Sequence, residues 1–266
     1  MNVVDDLRDL VNAVKDKIEA TEFEENDVRK AYFENLYSVL NQFYIGKVFY
    51  ELSKEIKEGN IIISPNISHL NNHILRIYEI ADHPLLSQSH QFELNRKIFA
   101  DTFTNFESTI DFCFSNLVKD DQLDLIVEDI NIKVFKICTE GADQKAKLLE
   151  HFRKSTFIPL IRKFRFLSKY RAECYTDNHN EDLSFIEFCV KLRNCVLHSS
   201  GYYKGKDFDY EFENITFIFK NEEFLEMQGV NDLVFVKINE RLTKIIEKIF
   251  ICLTDVDFIK YPDDGF

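Results

Sequence analysis

Turn-forming residues are scarce in this chain. Only 7 Gly and 4 Pro are spread over 266 residues, against 26 Phe and 11 Tyr. Because Gly and Pro mark turns and interrupt helices, their scarcity favours long helices joined by few connections. A hydrophobic content of 45% is enough to bury a substantial core. The sequence therefore predicts a globular, all-α fold.

Apolar residues recur at helical spacing along most of the chain. Asn26 is the predicted N-cap of the second helix, and two β-prone runs, 215–220 and 222–227, predict a small β-hairpin around Asn221 near the C-terminus. The spacing predicts helices over about 2–20, 26–59, 67–81, 89–118, 122–138, 142–154, 157–172, 182–198 and 231–254.

A loop over 82–89, containing Pro84, separates two groups of predicted helices. We therefore expect an N-terminal helical extension over 1–84 and a helical domain over 85–260. The N-terminus, MNVVDDLRDL, carries acids where a secretory signal carries bases, and no run of about 18 apolar residues occurs. These features favour a cytoplasmic protein that does not associate with membranes.

The cysteines and histidines predict neither a metal site nor a cofactor. Cys113 and Cys189 lie between apolar residues, and no Cys-x-x-Cys pair occurs, so we expect buried, reduced thiols. His69 and His73 share a helical face, but no carboxylate lies at the usual offset for a metal site. No Gly-rich phosphate loop or nucleophile elbow can be read from the sequence.

One basic stretch interrupts an acidic chain. The formal net charge is −13, yet residues 153–171 hold seven basic residues and no acid, leaving 26 basic against 46 acidic residues elsewhere. The stretch is either an RNA-binding surface, with Phe164, Phe166 or Tyr170 stacking on bases, or an amphipathic helix whose aromatic residues face the core. The candidate phosphate contacts within it are Arg162, Lys163, Arg165, Lys169 and Arg171.

The segment KLRNCVLHSSG, residues 191–201, concentrates the residue types that phosphodiester chemistry needs. Arg193 supplies a permanent positive charge, Asn194 an amide that can orient a group, and His198 a proton carrier that titrates near neutral pH. At about 100° per residue, Asn194 and His198 share a narrow polar strip with Glu187 and Lys191, while the helix is apolar over a wide arc. Lys191, and beyond the helix Lys204 and Lys206, are further candidates for contacting an RNA backbone.

The hexapeptide RNCVLH, residues 193–198, resembles the Arg, polar residue, three variable residues, His signature of the HEPN superfamily. The long helix predicted over 89–118 also resembles the first long helix of the HEPN core. The resemblance implies an all-α bundle of HEPN type and often an RNA-cleaving activity. It assigns phosphate binding to Arg193, orientation of the site to Asn194 and catalysis to His198.

The resemblance further implies a homodimer in which two such motifs face each other across a two-fold axis. Attack of a ribose 2′-hydroxyl on its own phosphate needs one proton removed and another donated, and a symmetric pair brings two His198 and two Arg193 into one cleft. The expected function is a metal-independent endoribonuclease acting on RNA, as a toxin or antiviral effector with a cognate antitoxin or regulatory protein. The alternatives are a non-catalytic HEPN-fold protein that binds a protein partner, an unrelated helical adaptor, or a motif that is only a buried polar network.

Overall fold

The computed structural model describes residues 3–24, 26–61, 84–117, 158–168, 175, 178–198, 201–229 and 233–252. The described chain is mostly helical, with a small antiparallel sheet near the C-terminus, as predicted. The predicted helices over 67–81, 122–138 and 142–154 lie outside the described residues. Helices α1 to α6 span Val3–Ala20, Val28–Lys57, Pro84–Leu117, Leu160–Phe166, His179–Arg193 and Val234–Cys252.

Two specific interactions define the ends of α2. The predicted N-cap, Asn26, is wrong: Asn26 has φ 66°, and the backbone N–H of Arg29 instead donates to Oδ1 of Asp27 at 2.8 Å. At the other end Gly59 has φ 78°, and the N–H of Asn60 donates to the carbonyl of Glu55 at 2.9 Å. This is the glycine-terminated arrangement that satisfies the last free carbonyls of a helix.

Helix α3 begins at Pro84, within the predicted loop over 82–89. Proline lacks a backbone N–H and has a φ already suited to a helix, so the first helical turn accepts it without losing a hydrogen bond. The prediction of a loop from Pro84 to Ser89 is therefore wrong. The division into 1–84 and 85–260 stays a prediction.

The described residues fall into two compact units. The first unit draws on 1–24, 30–103 and 192–240, and the second on 25–29, 104–191 and 241–266. In the first, the Phe99 and Phe235 rings of α3 and α6 lie 6.0 Å apart. Its other buried side chains recur at helical spacing along α1 and α2 and include Leu7, Val11, Val14, Tyr32, Leu36, Leu40 and Phe43.

Aromatic residues also form the core of the second unit. The ring of Phe114 on α3 meets Phe166 of α4 edge to face at 5.7 Å, and Phe164 meets Tyr175 at 5.8 Å. The apolar stripe predicted along 89–118 is confirmed across the two units, because the following side chains are at most 1% exposed: Phe99, Phe103, Phe106, Ile110 and Phe114.

The five strands form two small antiparallel sheets. They span Tyr202–Tyr203 (β1), Phe208–Phe212 (β2), Ile215–Phe219 (β3), Glu223–Phe224 (β4) and Glu226–Gln228 (β5). Strand β1 pairs with β4, and the second sheet has the order β2-β3-β5. The hairpin predicted around Asn221 is right only in part: Glu226–Gln228 pairs with β3, but Glu223–Phe224, in the same predicted run, pairs with β1 instead.

The sequence pattern did not reveal strand β2. Its turn into β3 consists of Glu213 and Asn214, which both have positive φ, 50° and 62°. Such a two-residue turn matches the twist of the flanking strands but usually contains Asn-Gly or Asp-Gly. Because Glu213 rather than Asn or Asp occupies the first turn position, the sequence did not indicate a hairpin there.

A buried carboxylate anchors the first turn of α5. Asp182 is fully buried and accepts hydrogen bonds from Arg241 Nη2 at 2.5 Å, Lys248 Nζ at 2.8 Å and the Tyr175 hydroxyl at 2.5 Å. Burial, followed by the bond to Asp182, raises the pKa of Tyr175 far above its ordinary value, so the hydroxyl stays protonated and donates. Asp182 therefore joins α5 to α6 and to the segment before α5.

Replacing Asp182 with Ala is expected to lower the free energy of unfolding by about 2–3 kcal/mol. The change removes the shared partner of two cations, but both retain about a third of their exposure, so the loss is below that of a fully buried pair. Urea denaturation followed by circular dichroism at neutral pH measures it. The control is Glu187→Ala at an exposed position of the same helix, expected within about 0.5 kcal/mol of wild type. Equal losses in both variants would contradict this role.

Candidate functional site

The Arg-Asn-His motif lies where α5 changes its winding. The α-helix ends at Arg193, and residues Asn194–His198 continue as a π-helical turn. The prediction of one helix over 182–198 therefore ends at the right residue, but the helix begins three residues earlier, at His179, and the winding of its last five residues differs. Single π-helical turns are uncommon and occur frequently at functional sites.

Burial separates the apolar and polar sides of this helix as predicted. Asn194 and His198 are exposed, and Arg193 is half-buried. Arg193 Nη1 lies 3.5 Å from Asn194 Oδ1, a long hydrogen bond between neighbours. The polar end of the motif therefore opens to solvent, while the following predicted core residues are buried: Phe185, Phe188, Cys189, Leu192 and Val196.

A turn stabilised by Cys195 connects the motif to the first strand. The Gly201 N–H donates to the Cys195 carbonyl at 2.9 Å, and Cys195 Sγ donates to the Gly201 carbonyl at 3.0 Å. Burial raises the pKa of the Cys195 thiol, which favours the neutral form able to donate. The Gly201 carbonyl also accepts the Leu225 N–H at 2.8 Å. Strand β1 and its partner β4 are thereby held beside the end of the motif.

The lysines after the motif are exposed but lie in an acidic region. Lys204 Nζ lies 5.9 Å from the centre of the Tyr202 ring, and Lys206 offers its side chain to solvent. Residues 201–229 contain seven acids and three lysines, a net charge of −4. The third lysine, Lys220, lies 3.8 Å from both Asp207 and Asp209. This balance weakens the attraction of the region for phosphates.

Residues of the predicted basic surface differ widely in exposure. Arg165 is exposed, whereas Arg162 and Lys191 are half-buried. Lys163 is only 4% exposed, and its Nζ binds Asp111 Oδ1 at 2.8 Å, so it lies in the core of the second unit rather than on an RNA-binding surface. Lys169 and Arg171 lie outside the described residues.

The two described aromatic residues of the basic stretch, Phe164 and Phe166, do not offer a stacking surface. Phe164 and Phe166 are buried, with exposures of 0% and 4%. For these two rings the structure agrees with the amphipathic-helix alternative. Tyr170 lies outside the described residues.

Two aromatic side chains that the sequence pattern did not reveal lie next to the motif. Tyr202 and Phe224 are paired across β1 and β4, and the Phe224 side chain is the most exposed large apolar residue in the described chain, at 70%. A signal was present in the sequence: Tyr202 and Tyr203 directly follow the glycine that ends the motif, and alternation along a strand directs only one of them into the core.

Some expectations concern the whole chain. Within the described ranges, no group of three or more His, Cys, Asp or Glu side chains is arranged to hold a metal ion. His69 and His73 fall outside those ranges. Of the helices described, none combines the length and apolar character needed to cross a membrane.

The chain has no match among protein-family models, curated proteins or solved structures.

Replacing Gly201 with Ala is expected to destabilise the protein by about 1 kcal/mol. Gly201 has φ 89°, a conformation that costs side chains steric energy, whereas an added Cβ would meet Phe224 at an ordinary distance of 3.7 Å. Gly201→Asn should cost less, because Asn tolerates positive φ better than Ala. Urea midpoints of both variants test this order. Equal stability of Gly201→Ala and wild type would show that the glycine conformation is not needed.

Proposed function

We propose that this chain is a metal-independent endoribonuclease of HEPN type, with Arg193, Asn194 and His198 as its catalytic residues. The observation that supports the proposal is the placement of the motif. Its His and Asn side chains are exposed and its Arg half-buried at the end of a helix that otherwise buries most of its apolar residues. Asn194 and His198 are therefore accessible to a substrate, in contrast to Asp182, which is sealed among its partners.

The proposed reaction is a transesterification within RNA. The ribose 2′-oxygen loses its proton and forms a bond to the adjacent phosphorus, while the bond from phosphorus to the 5′-oxygen breaks and that oxygen gains a proton. The products are a 2′,3′-cyclic phosphate and a 5′-hydroxyl. His198 transfers protons, Arg193 stabilises the additional negative charge on the phosphate, and Asn194 orients the reacting groups.

A homodimer completes this proposal. The reaction needs one group that accepts a proton and one that donates, and each protomer supplies a single His198. A two-fold axis beside the motif places two His198 and two Arg193 in one cleft. The half-buried residues Val190 and Leu197 offer apolar surface near the end of the helix for such an arrangement. The biological role that goes with it is a toxin or antiviral effector controlled by an antitoxin or regulatory protein.

A second candidate function is a non-catalytic HEPN-fold protein that binds a protein partner. The observation that favours it is the charge beside the motif, since residues 201–229 carry a net −4 on a chain of net −13. Such a surface suits a basic protein better than a polyanion. The two candidates differ in whether the chain alone acts on RNA.

Purified wild-type protein is expected to cleave RNA in the presence of EDTA. His198→Ala and Arg193→Ala should each lower kcat/KM by about 100-fold or more, because general acid–base catalysis and phosphate charge stabilisation each contribute on that order. Gel separation of end-labelled RNA measures the rates, and circular dichroism checks that each variant is folded.

Arg96→Ala is the matched control for the guanidinium. Arg96 lies on α3 and pairs with Glu93 at 2.7 Å, so its loss should leave cleavage unchanged. Cleavage of a substrate with 2′-deoxyribose at the scissile position would exclude the 2′-hydroxyl as the nucleophile. The non-catalytic, protein-binding function would be favoured if wild type cleaved none of a varied set of RNAs and co-purified with one protein partner in stoichiometric amount.

The activity per protomer is expected to fall on dilution, because a monomer retains only half of the composite site. Sedimentation velocity gives the dimer dissociation constant, and initial cleavage rates measured across the same concentration range should follow the dimer fraction. The proposed composite site would be excluded by a specific activity that stays constant in samples shown to be monomeric.

A further inference from the structure

An aromatic pair, half-buried Tyr202 and exposed Phe224, lies beside the end of the motif. Tyr202 on β1 and Phe224 on β4 face each other, with ring centres 5.5 Å apart and planes at 77°. The Leu225 N–H donates to the Gly201 carbonyl, which makes Tyr202 and Phe224 a non-hydrogen-bonded pair, the kind in which opposite side chains are closest. The pair is therefore held by the strand register, and Phe224 remains open to solvent.

The next residue along β1 shows what the core does with a similar ring. Tyr203 is 7% exposed, meets Phe219 edge to face at 5.2 Å and donates its hydroxyl to the Lys206 carbonyl at 2.8 Å. Both its ring and its hydroxyl therefore have partners inside the first unit. Phe224, at 70% exposed, has no such environment. Beyond its contacts with Tyr202 and Gly201, most of the Phe224 ring is therefore open to a further partner.

The position of the pair relative to the motif is fixed by short links. The Phe224 ring lies against Gly201, three residues after His198, close enough that a Cβ on Gly201 would meet it at 3.7 Å. Gly201 is in turn bonded twice to Cys195 within the motif. The ring, the strand and the π-helical turn thus form one connected structure in the first unit.

We propose that Phe224, supported by Tyr202 and Lys204, forms a subsite that stacks a nucleobase of the RNA next to the scissile phosphate. This inference rests on the proposed function. An exposed ring offers a flat face to any base, and Lys204, whose Nζ lies 5.9 Å from the Tyr202 ring, supplies a cation for the adjoining backbone. The subsite fixes the nucleotide's position while the motif acts on its phosphate.

The local charges determine which part of a nucleotide lies on the Phe224 ring. Phe224 is flanked along the chain by exposed Glu222, Glu223 and Glu226. These carboxylates repel phosphate but not an uncharged base, so the ring takes the base and the backbone is left to Lys204. A single ring bordered by charge suits the face of one nucleobase.

Binding of a short labelled RNA to catalytically inactive His198→Ala protein tests the subsite. Adding Phe224→Ala should weaken binding about ten-fold, whereas Phe224→Trp should bind at least as tightly as Phe, because tryptophan retains a stacking face. The matched control is Phe92→Ala, which removes another exposed ring, 56% exposed, from α3 of the first unit and should leave binding unchanged. Fluorescence anisotropy gives the dissociation constants.

A scan of single abasic sites through the RNA separates stacking from indirect effects. Where the stacked base is missing, Phe224→Ala should cause no further loss, since the two changes remove the same contact. Two results would overturn the subsite and assign Phe224 to a protein contact. One is a ten-fold loss of RNA binding in Phe224→Ala that persists whichever base is removed. The other is a shift of this variant from dimer to monomer in sedimentation. Unchanged binding in Phe224→Ala would also overturn it.

Failure of the subsite and failure of the nuclease proposal give different results. If wild type cleaves RNA and Phe224→Ala binds it normally, the subsite is excluded and the nuclease proposal stands. Binding by the His198→Ala protein that depends on Phe224, without cleavage by wild type, removes the nuclease activity and keeps the subsite. A wild-type chain that neither binds nor cuts RNA removes both.

Discussion

The constraint on which the motif helix depends is the buried carboxylate of Asp182. A charge in the protein interior is costly unless it is paired, and here one side chain accepts bonds from Arg241, Lys248 and Tyr175. The helix that carries the motif is thereby attached in its first turn to α6. Asn194 and His198 lie at the other end of the motif helix and are exposed. Under the proposed function these exposed side chains take part in the chemistry.

The end of α5 is held by weaker and more local interactions. Cys195, a neutral buried thiol, bonds the Gly201 carbonyl, and the Gly201 N–H bonds back to Cys195. The π-helical winding of Asn194–His198 accommodates this turn and leaves Asn194 and His198 exposed. A site that must receive a substrate benefits from this division, since the fold keeps its stability in the anchored part of the helix and its polar groups in the accessible part.

Periodicity in the sequence was enough to predict the long helices, because burial at every third or fourth position is a local signal. The local sequence could not show which of two neighbouring polar residues caps a helix, or whether a proline starts a helix or lies in a loop. Asp27 rather than Asn26 caps α2, and Pro84 starts a helix rather than a loop. The burial of Lys163 follows from Asp111, 52 residues earlier, and the role of Asp182 from cations 59 and 66 residues later. Pairings between residues so far apart in the sequence depend on the fold, so they cannot be predicted from residue spacing.

The acidity of the chain limits how RNA would be recognised under the proposed function. A protein of net charge −13, with a further excess of acids beside the motif, gains little from the counterion release that drives binding by basic proteins. With Lys163 held in the core, the proposed affinity draws on exposed cations of the described chain, such as Arg165 and Lys204, and on contacts that carry no charge. The proposed stacking of a base on Phe224 is such a contact, and it acts over van der Waals distance only. On this proposal, the acids that lower general affinity for polyanions confine productive binding to nucleotides that reach the motif and present a base to the ring.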